Sequence, residues 1–109
     1  MSGRPLNLNK AKTIEMELDR IPDLMAKVDG LDSHLVGLLA QRFRCSREIG
    51  SIKLSSGQPR FDPERVRLQR LRFVGLCVEA GLDAAMAETL ITTILDRVIA
   101  ERSSVPPVL

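Results

Sequence analysis

From Leu24 the apolar residues Leu24, Val28, Leu31, Leu35, Leu38, Ile49 and Ile52 recur at helical spacing, lining one face of a single α-helix. Gly30, Gly37 and Gly50 weaken that helix locally without ending it. Pro22 suits its first turn, and Ser55-Ser56-Gly57-Gln58-Pro59 breaks it after Leu54. The pattern predicts one helix over 22–54, roughly 33 residues and about 50 Å long. A compact domain of this size has a radius of gyration of only about 13–14 Å. A helix this long outruns what its own chain can cover. A second copy is the economical cover, which predicts a two-fold homodimer.

The same stripe carries a contradiction. After Leu38 its next steps are Arg42, then Cys45 or Ser46, then Ile49, then Lys53. Lys and Arg are almost never fully buried unless paired, and nothing acidic sits on the stripe between these two. Two readings stay open. Either an anion from elsewhere meets both cations, or one marks a helix end and the other snorkels to water.

Downstream the punctuation is clear. Asp62-Pro63-Glu64-Arg65 starts a second helix, with Asp62 as cap, Pro63 at the first helical position and Glu64 at the positive dipole end. It runs to about Ala80, and Gly81 stops it as a left-handed residue. Leu82-Asp83 opens a third helix. Its broad apolar stripe is Met86, Leu90, Ile91, Ile94, Leu95, Val98 and Ile99. It fades after Arg102, so 103–109 is a tail with Pro106-Pro107. Residues 1–21 are read as a leader, polar to about Lys12, with Thr13 to Arg20 able to extend a helix backwards. The helical domain proper is 22–102. The fold class expected is all-α, a three-helix subunit with a long first helix. Arg65 sits in the first turn of the second helix, beside the loop that follows Lys53, where it can join Arg42 and Lys53 around one small cavity.

Composition removes several functions. Aromatics are 3% of 109 residues, without Trp or Tyr, leaving no stacking platforms for a single-stranded nucleic acid. Arg65, Arg67, Arg70 and Arg72 make a row that could meet phosphates. Without aromatic or motif signals it reads as a solvated face, and a net charge of +2 is too mild to demand a polyanion. No nucleic-acid or membrane partner is expected, since no apolar run could span a bilayer. His34 has no cluster of ligands around it, and Cys45 and Cys77 are too few for a zinc site or a disulfide framework. No metal is expected, and a reduced cytoplasmic location is the default.

The order LDSHLVGLLAQRFRCSREIGSIKLSSGQPRFDPERV, then AGLD and ILDRVIAER, resembles the all-helical class of chorismate mutases over roughly Leu24 to Arg102. The most specific portion is the LD pair, the arginine of LLAQR, the IG-x-x-K spacing and the D-x-x-R after the loop. The resemblance implies an intertwined dimer whose long first helix crosses into the partner's site. It implies the Claisen rearrangement of chorismate to prephenate, on the route to phenylalanine and tyrosine, with no cofactor and no protein nucleophile. The substrate is a dianion whose breaking ether bond gathers negative charge on oxygen. Fixed cations that select its compact conformer suit that task. By resemblance, Arg42 holds a carboxylate and Lys53 bridges a carboxylate and the ether oxygen, and these two are the catalytic candidates. Asp62 orients the ring hydroxyl, Arg65 shapes the site, and Ile49 packs on the ring.

The chain also departs from the pattern. The arginine that the family carries six residues before the LD pair is Met25 here. The glutamate after the second-helix arginine is Val66, a small polar residue of the third helix is Val98, and a common glutamine is Arg102. Arg102 is either a substitute carboxylate ligand for Met25 or a favourable charge at a helix C-terminus. PERV is also similar to isochorismate pyruvate lyases of the same fold, which expel pyruvate. A mutase-like domain that binds without catalysis is the third alternative. Docking to a synthase of the aromatic pathway is left open.

Overall fold

Residues 7–104 are described by a computed structural model. The fold is all-α: α1 (Leu8–Ser55), α2 (Pro63–Glu79) and α3 (Ala84–Ser104), with no strand among the described residues. The start of the leader, with Gly3 and Pro5, and the Pro106-Pro107 stretch of the tail lie outside those residues.

Helix α1 starts at Leu8 and carries Pro22 inside it, where the apolar pattern predicts a start at Pro22. The signal for the earlier start is Asn7, whose side-chain Oδ1 accepts from the N–H groups of Asn9 and Lys10 at 3.1 Å each. That satisfies two of the donors a helix start leaves orphaned. Pro22 removes one intrahelical N–H. It is exposed, so water can take the Leu18 carbonyl that loses its partner.

The chain divides into two units at Ala40/Gln41. The first contains the N-terminal part of α1. Its apolar face is open: Leu31, Leu35 and Leu38 are 58%, 56% and 59% exposed, and Ile14, Leu18, Ile21, Leu24 and Val28 are exposed too. Isolated helices hold poorly in water and depend on packing of an apolar face.

The second unit, from Gln41 onward, holds the end of α1 with α2 and α3. The latter two pack on each other. Its core is centred on α3, where Ala87, Ile91, Ile94, Leu95 and Val98 are buried, joined by Cys77 of α2. The expected stripe is therefore narrower than its sequence: Met86, Leu90 and Ile99 flank it and stay exposed, while Ala87 lies on its axis. Arg70 ties α2 to α3, donating to Thr92 Oγ1 at 2.6 Å and pairing with Glu88 at 3.3 Å. Arg67 pairs with Glu64 one turn back at 2.6 Å, which holds the Glu64 carboxyl below its ordinary range. Two members of the arginine row are thus occupied by the fold itself.

Both interhelical turns follow from single glycines. Gly81 has φ +83° and Gly57 φ +71°, conformations that a Cβ disfavours. After α2, Leu82 N–H reaches the Cys77 carbonyl at 2.9 Å and Gly81 N–H the Val78 carbonyl at 3.0 Å. After α1, Gln58 N–H reaches the Lys53 carbonyl at 2.8 Å and Gly57 N–H the Leu54 carbonyl at 3.3 Å. Both are Schellman closures, satisfying the last carbonyls of each helix.

Candidate functional site

The Schellman closure after Lys53 fixes the end of α1, and with it the root of the Lys53 side chain. At the other end of the loop, Asp62 sits in extended backbone and its Oδ1 accepts from the Arg65 N–H at 3.1 Å. Pro63 follows at the first helical turn. The loop is thereby pinned at both ends by groups that also face the space between α1, α2 and α3.

That space is a cavity of about 300 Å³. Arg42, Ile49, Lys53, Asp62, Arg65 and Arg102, the six residues singled out from the sequence, all line it. Arg42, Lys53 and Arg102 are half-buried, whereas Ile49, Asp62 and Arg65 are exposed. Four cations and one carboxylate therefore face one small volume. None of the four cations is in an ion pair among the described residues. Arg42 and Lys53 both border this cavity, and Lys53 also stands in the last turn of α1.

Arg102 comes from the last turn of α3 and lies across α1. A Cβ on Gly50 would stand 3.5 Å from its Cγ and 3.6 Å from its Nε, ordinary van der Waals contact, so the stem passes close over this residue. Its guanidinium donates to Ser46 Oγ at 3.4 Å and to the Arg60 carbonyl at 3.5 Å. Both are at the long end of the hydrogen-bond range. Its Nε is buried without a partner. The half-filled donor set of this arginine is chemically unusual, since buried polar groups normally find partners.

Other cavity residues were not singled out from the sequence. Gln69 stands one turn after Arg65, and Phe61 precedes the cap; both line the cavity, as do Cys45 and Ser46, the alternative steps of the α1 stripe. The i, i+4 step from Arg65 to Gln69 was the available signal. Val66 and Val98 line it too, so with Arg102 three of the four departures fall on the cavity wall. Cys45 and Cys77 are both free thiols. No cluster of three or more His, Cys, Asp or Glu suited to a metal occurs among the described residues, nor is any helix there long and apolar enough to cross a membrane.

A site with this charge pattern has no nucleophile beside a base and no paired carboxylates for acid–base work. It can hold a small dianion and stabilise charge that develops on one of its oxygens. Comparison with known proteins points the same way. Residues 24–102 match the family described as chorismate mutase type II. The chain is also similar to a chorismate mutase of Methanocaldococcus jannaschii, 29% identical over 66 residues that make up 61% of this chain and 67% of that protein.

Proposed function

This chain belongs to the type II chorismate mutase family, whose activity is an isomerisation, and from that premise we propose how its own cavity rearranges chorismate to prephenate. The reaction breaks an ether C–O bond and forms a C–C bond within one molecule. No proton is transferred and no cofactor is called for. The protein's task is to hold the compact conformer and to stabilise the oxygen as it gathers charge.

Arg42 holds a substrate carboxylate through its planar fork, the geometry suited to bidentate pairing. Lys53 bridges a carboxylate and the ether oxygen, and is the residue on which the rate depends most. Arg65 adds positive potential from the first turn of α2. Asp62 uses one oxygen as helix cap, leaving the other to accept from the ring hydroxyl. Ile49 offers an apolar wall to the ring. Arg102 takes the carboxylate that Met25, where the family pattern has an arginine, cannot. The observation that carries this reading is the convergence, on one cavity of about 300 Å³, of four cations without ion-pair partners among the described residues.

The assembly proposed is a homodimer in which the exposed stripe of α1 meets a second copy, with sites shared between subunits. Support comes from the open apolar face over 14–38. A cytoplasmic location accords with two free cysteines.

The test is direct. Purified protein given chorismate should form prephenate, with loss of chorismate absorbance and no pyruvate. Given isochorismate, it should release pyruvate with a lower kcat/KM than it shows for chorismate. A higher value for isochorismate would make the protein a lyase.

A further inference from the structure

Cys45 and Ser46 share one step of the α1 stripe. Cys45 is exposed, and Ser46 is the one buried residue among those described in α1. A hydroxyl therefore fills a step that the pattern assigns to an apolar side chain. A buried hydroxyl costs free energy unless it is hydrogen-bonded. The bond Ser46 makes is with Arg102, whose Nη2 donates to its Oγ at 3.4 Å. Both residues line the cavity. We propose that Ser46 is a positioning residue, whose hydroxyl holds the Arg102 guanidinium against the cavity without neutralising it. The proposal rests on the reading of that cavity as the reaction site and of Arg102 as a ligand of a substrate carboxylate.

The need for an anchor follows from where Arg102 stands. It lies in the last turn of α3, and its long side chain has many rotamers to lose when it meets a ligand. It has no carboxylate partner among the described residues. Its other tie is a donation from Nη1 to the Arg60 carbonyl at 3.5 Å. Arg60 belongs to the loop between α1 and α2, whereas Ser46 sits inside α1, well before its last residue Ser55. Ser46 is thus the acceptor on regular helix. Two acceptors on different segments set both the position and the plane of the guanidinium.

A neutral acceptor suits the task. A carboxylate at 46 would make a shorter, charge-assisted bond, and it would cancel the positive charge that a dianion needs. A hydroxyl orients the cation, leaves its charge intact and leaves the remaining N–H donors for the ligand. The ligand then meets an arginine that is ordered beforehand, which favours binding. A carboxylate contact of this kind exists in ground and transition states alike, so its loss belongs in KM and not in kcat.

The test is a double-mutant cycle with a second, non-kinetic readout. Ser46→Ala removes one oxygen and keeps the side chain small, so a residue needed only for its size would tolerate the change. It should raise the KM for chorismate about three- to tenfold and leave kcat within about twofold. Ser46→Thr, which restores the hydroxyl, should return KM to near the parent value. In an Arg102→Met background, with no donor left to aim, Ser46→Ala should change KM by less than about twofold, because the two residues act as a unit. The second readout is the 15N–1H signal of Arg102 Nε in the full chain, assigned by its loss in Arg102→Met. Its order parameter should drop below about 0.6 in Ser46→Ala, the flexible range, and recover in Ser46→Thr. Parental KM in Ser46→Ala, where Arg102→Met raises it, would overturn the proposal. So would equal losses from Ser46→Ala in the parent and in the Arg102→Met background. A raised KM with an unchanged Arg102 signal would overturn it too, giving Ser46 a contact with the ligand instead. Failure of the underlying reading looks different: Arg102→Met then leaves KM unchanged while Ser46→Ala still loosens the Arg102 signal, so the anchor stands and the carboxylate contact does not.

Discussion

Lys53 and Arg102 illustrate two ways in which a cation can be placed against an apolar stripe. Lys53 is fixed from its backbone: its carbonyl closes the end of α1 through Gln58, and its side chain borders the cavity. Lys53→Ala should lower kcat by about a hundredfold or more, the loss seen when one preorganised donor to a developing oxyanion is removed. Thermal unfolding should change little, because an unpaired half-buried cation is a liability in the empty protein. Arg102 instead lies across α1 beside Gly50, held by long bonds to Ser46 Oγ and the Arg60 carbonyl. Arg102→Gln should raise KM by about ten- to a hundredfold, the worth of a charge-assisted hydrogen bond of roughly 1.5–3 kcal/mol. In a Met25→Arg background the same change should cost much less, because two cations serving one carboxylate are not additive. Steady-state kinetics on the four proteins of that cycle measures the coupling, and equal losses in both backgrounds would assign the two positions different work. The contradiction of cations on an apolar stripe is visible in the sequence, as is the motif order that carries Arg42, Ile49, Lys53, Asp62 and Arg65, with Arg102 standing out as a departure from it. A further cavity of about 260 Å³, lined by Gly50, Leu54, Arg60 and Arg102 among others, is not, because it depends on the end of α1 and the following loop meeting the end of α3.

At the scale of elements, the starts and stops of α2 and α3 are legible from single residues. Asp62 and Asp83 are caps as their spacing predicts, the latter accepting from Met86 N–H at 2.9 Å, and Gly81 is left-handed. The start of α1 is not legible in the same way. A proline at 22 is a strong local signal, and it is overridden because Asn7 caps an earlier start and the residues between are good helix formers. The α2 cap allows structure and catalysis to be separated. Asp62→Ala should cost about 1 kcal/mol of stability, the usual loss for a missing N-cap, and should weaken chorismate binding as well. Asp62→Asn should restore the stability, since Asn caps as well as Asp. Its one carbonyl oxygen is then engaged by Arg65 N–H, and the amide presents donors to the ring hydroxyl. KM should therefore stay raised by about two- to tenfold in the Asn protein. Denaturant melts and kinetics on the same two variants read the two effects independently, and a KM restored by Asn would remove Asp62 from the hydroxyl contact.

At the scale of the whole molecule, the apolar face of α1 over 14–38 is exposed. With the helix now running from Leu8, its apolar register is longer than the stripe that starts at Leu24. Ile14, Ile21, Val28, Leu35, Arg42 and Ile49 are seven apart, and so are Leu24, Leu31, Leu38, Cys45 and Ile52. Apolar residues at two positions of a heptad form the seam of helices that pack on one another. A seam of that length left in water contributes nothing to stability, whereas the proposed second copy would bury it. At roughly 25 cal/mol per Å² of apolar surface removed from water, a few such side chains on each subunit suffice to make folding and association one event. The thermal midpoint should therefore rise with protein concentration, as it must when partner binding stabilises the folded chain. Leu31→Lys combined with Leu35→Lys places two cations on the seam and on no residue of the cavity. Sedimentation should then report a monomer at micromolar concentration, its midpoint should no longer depend on concentration, and prephenate formation should fall with the loss of the shared site. A parent protein that sediments as a monomer, with a midpoint indifferent to concentration, would leave the α1 stripe to some other cover and remove the second copy from the proposed mechanism.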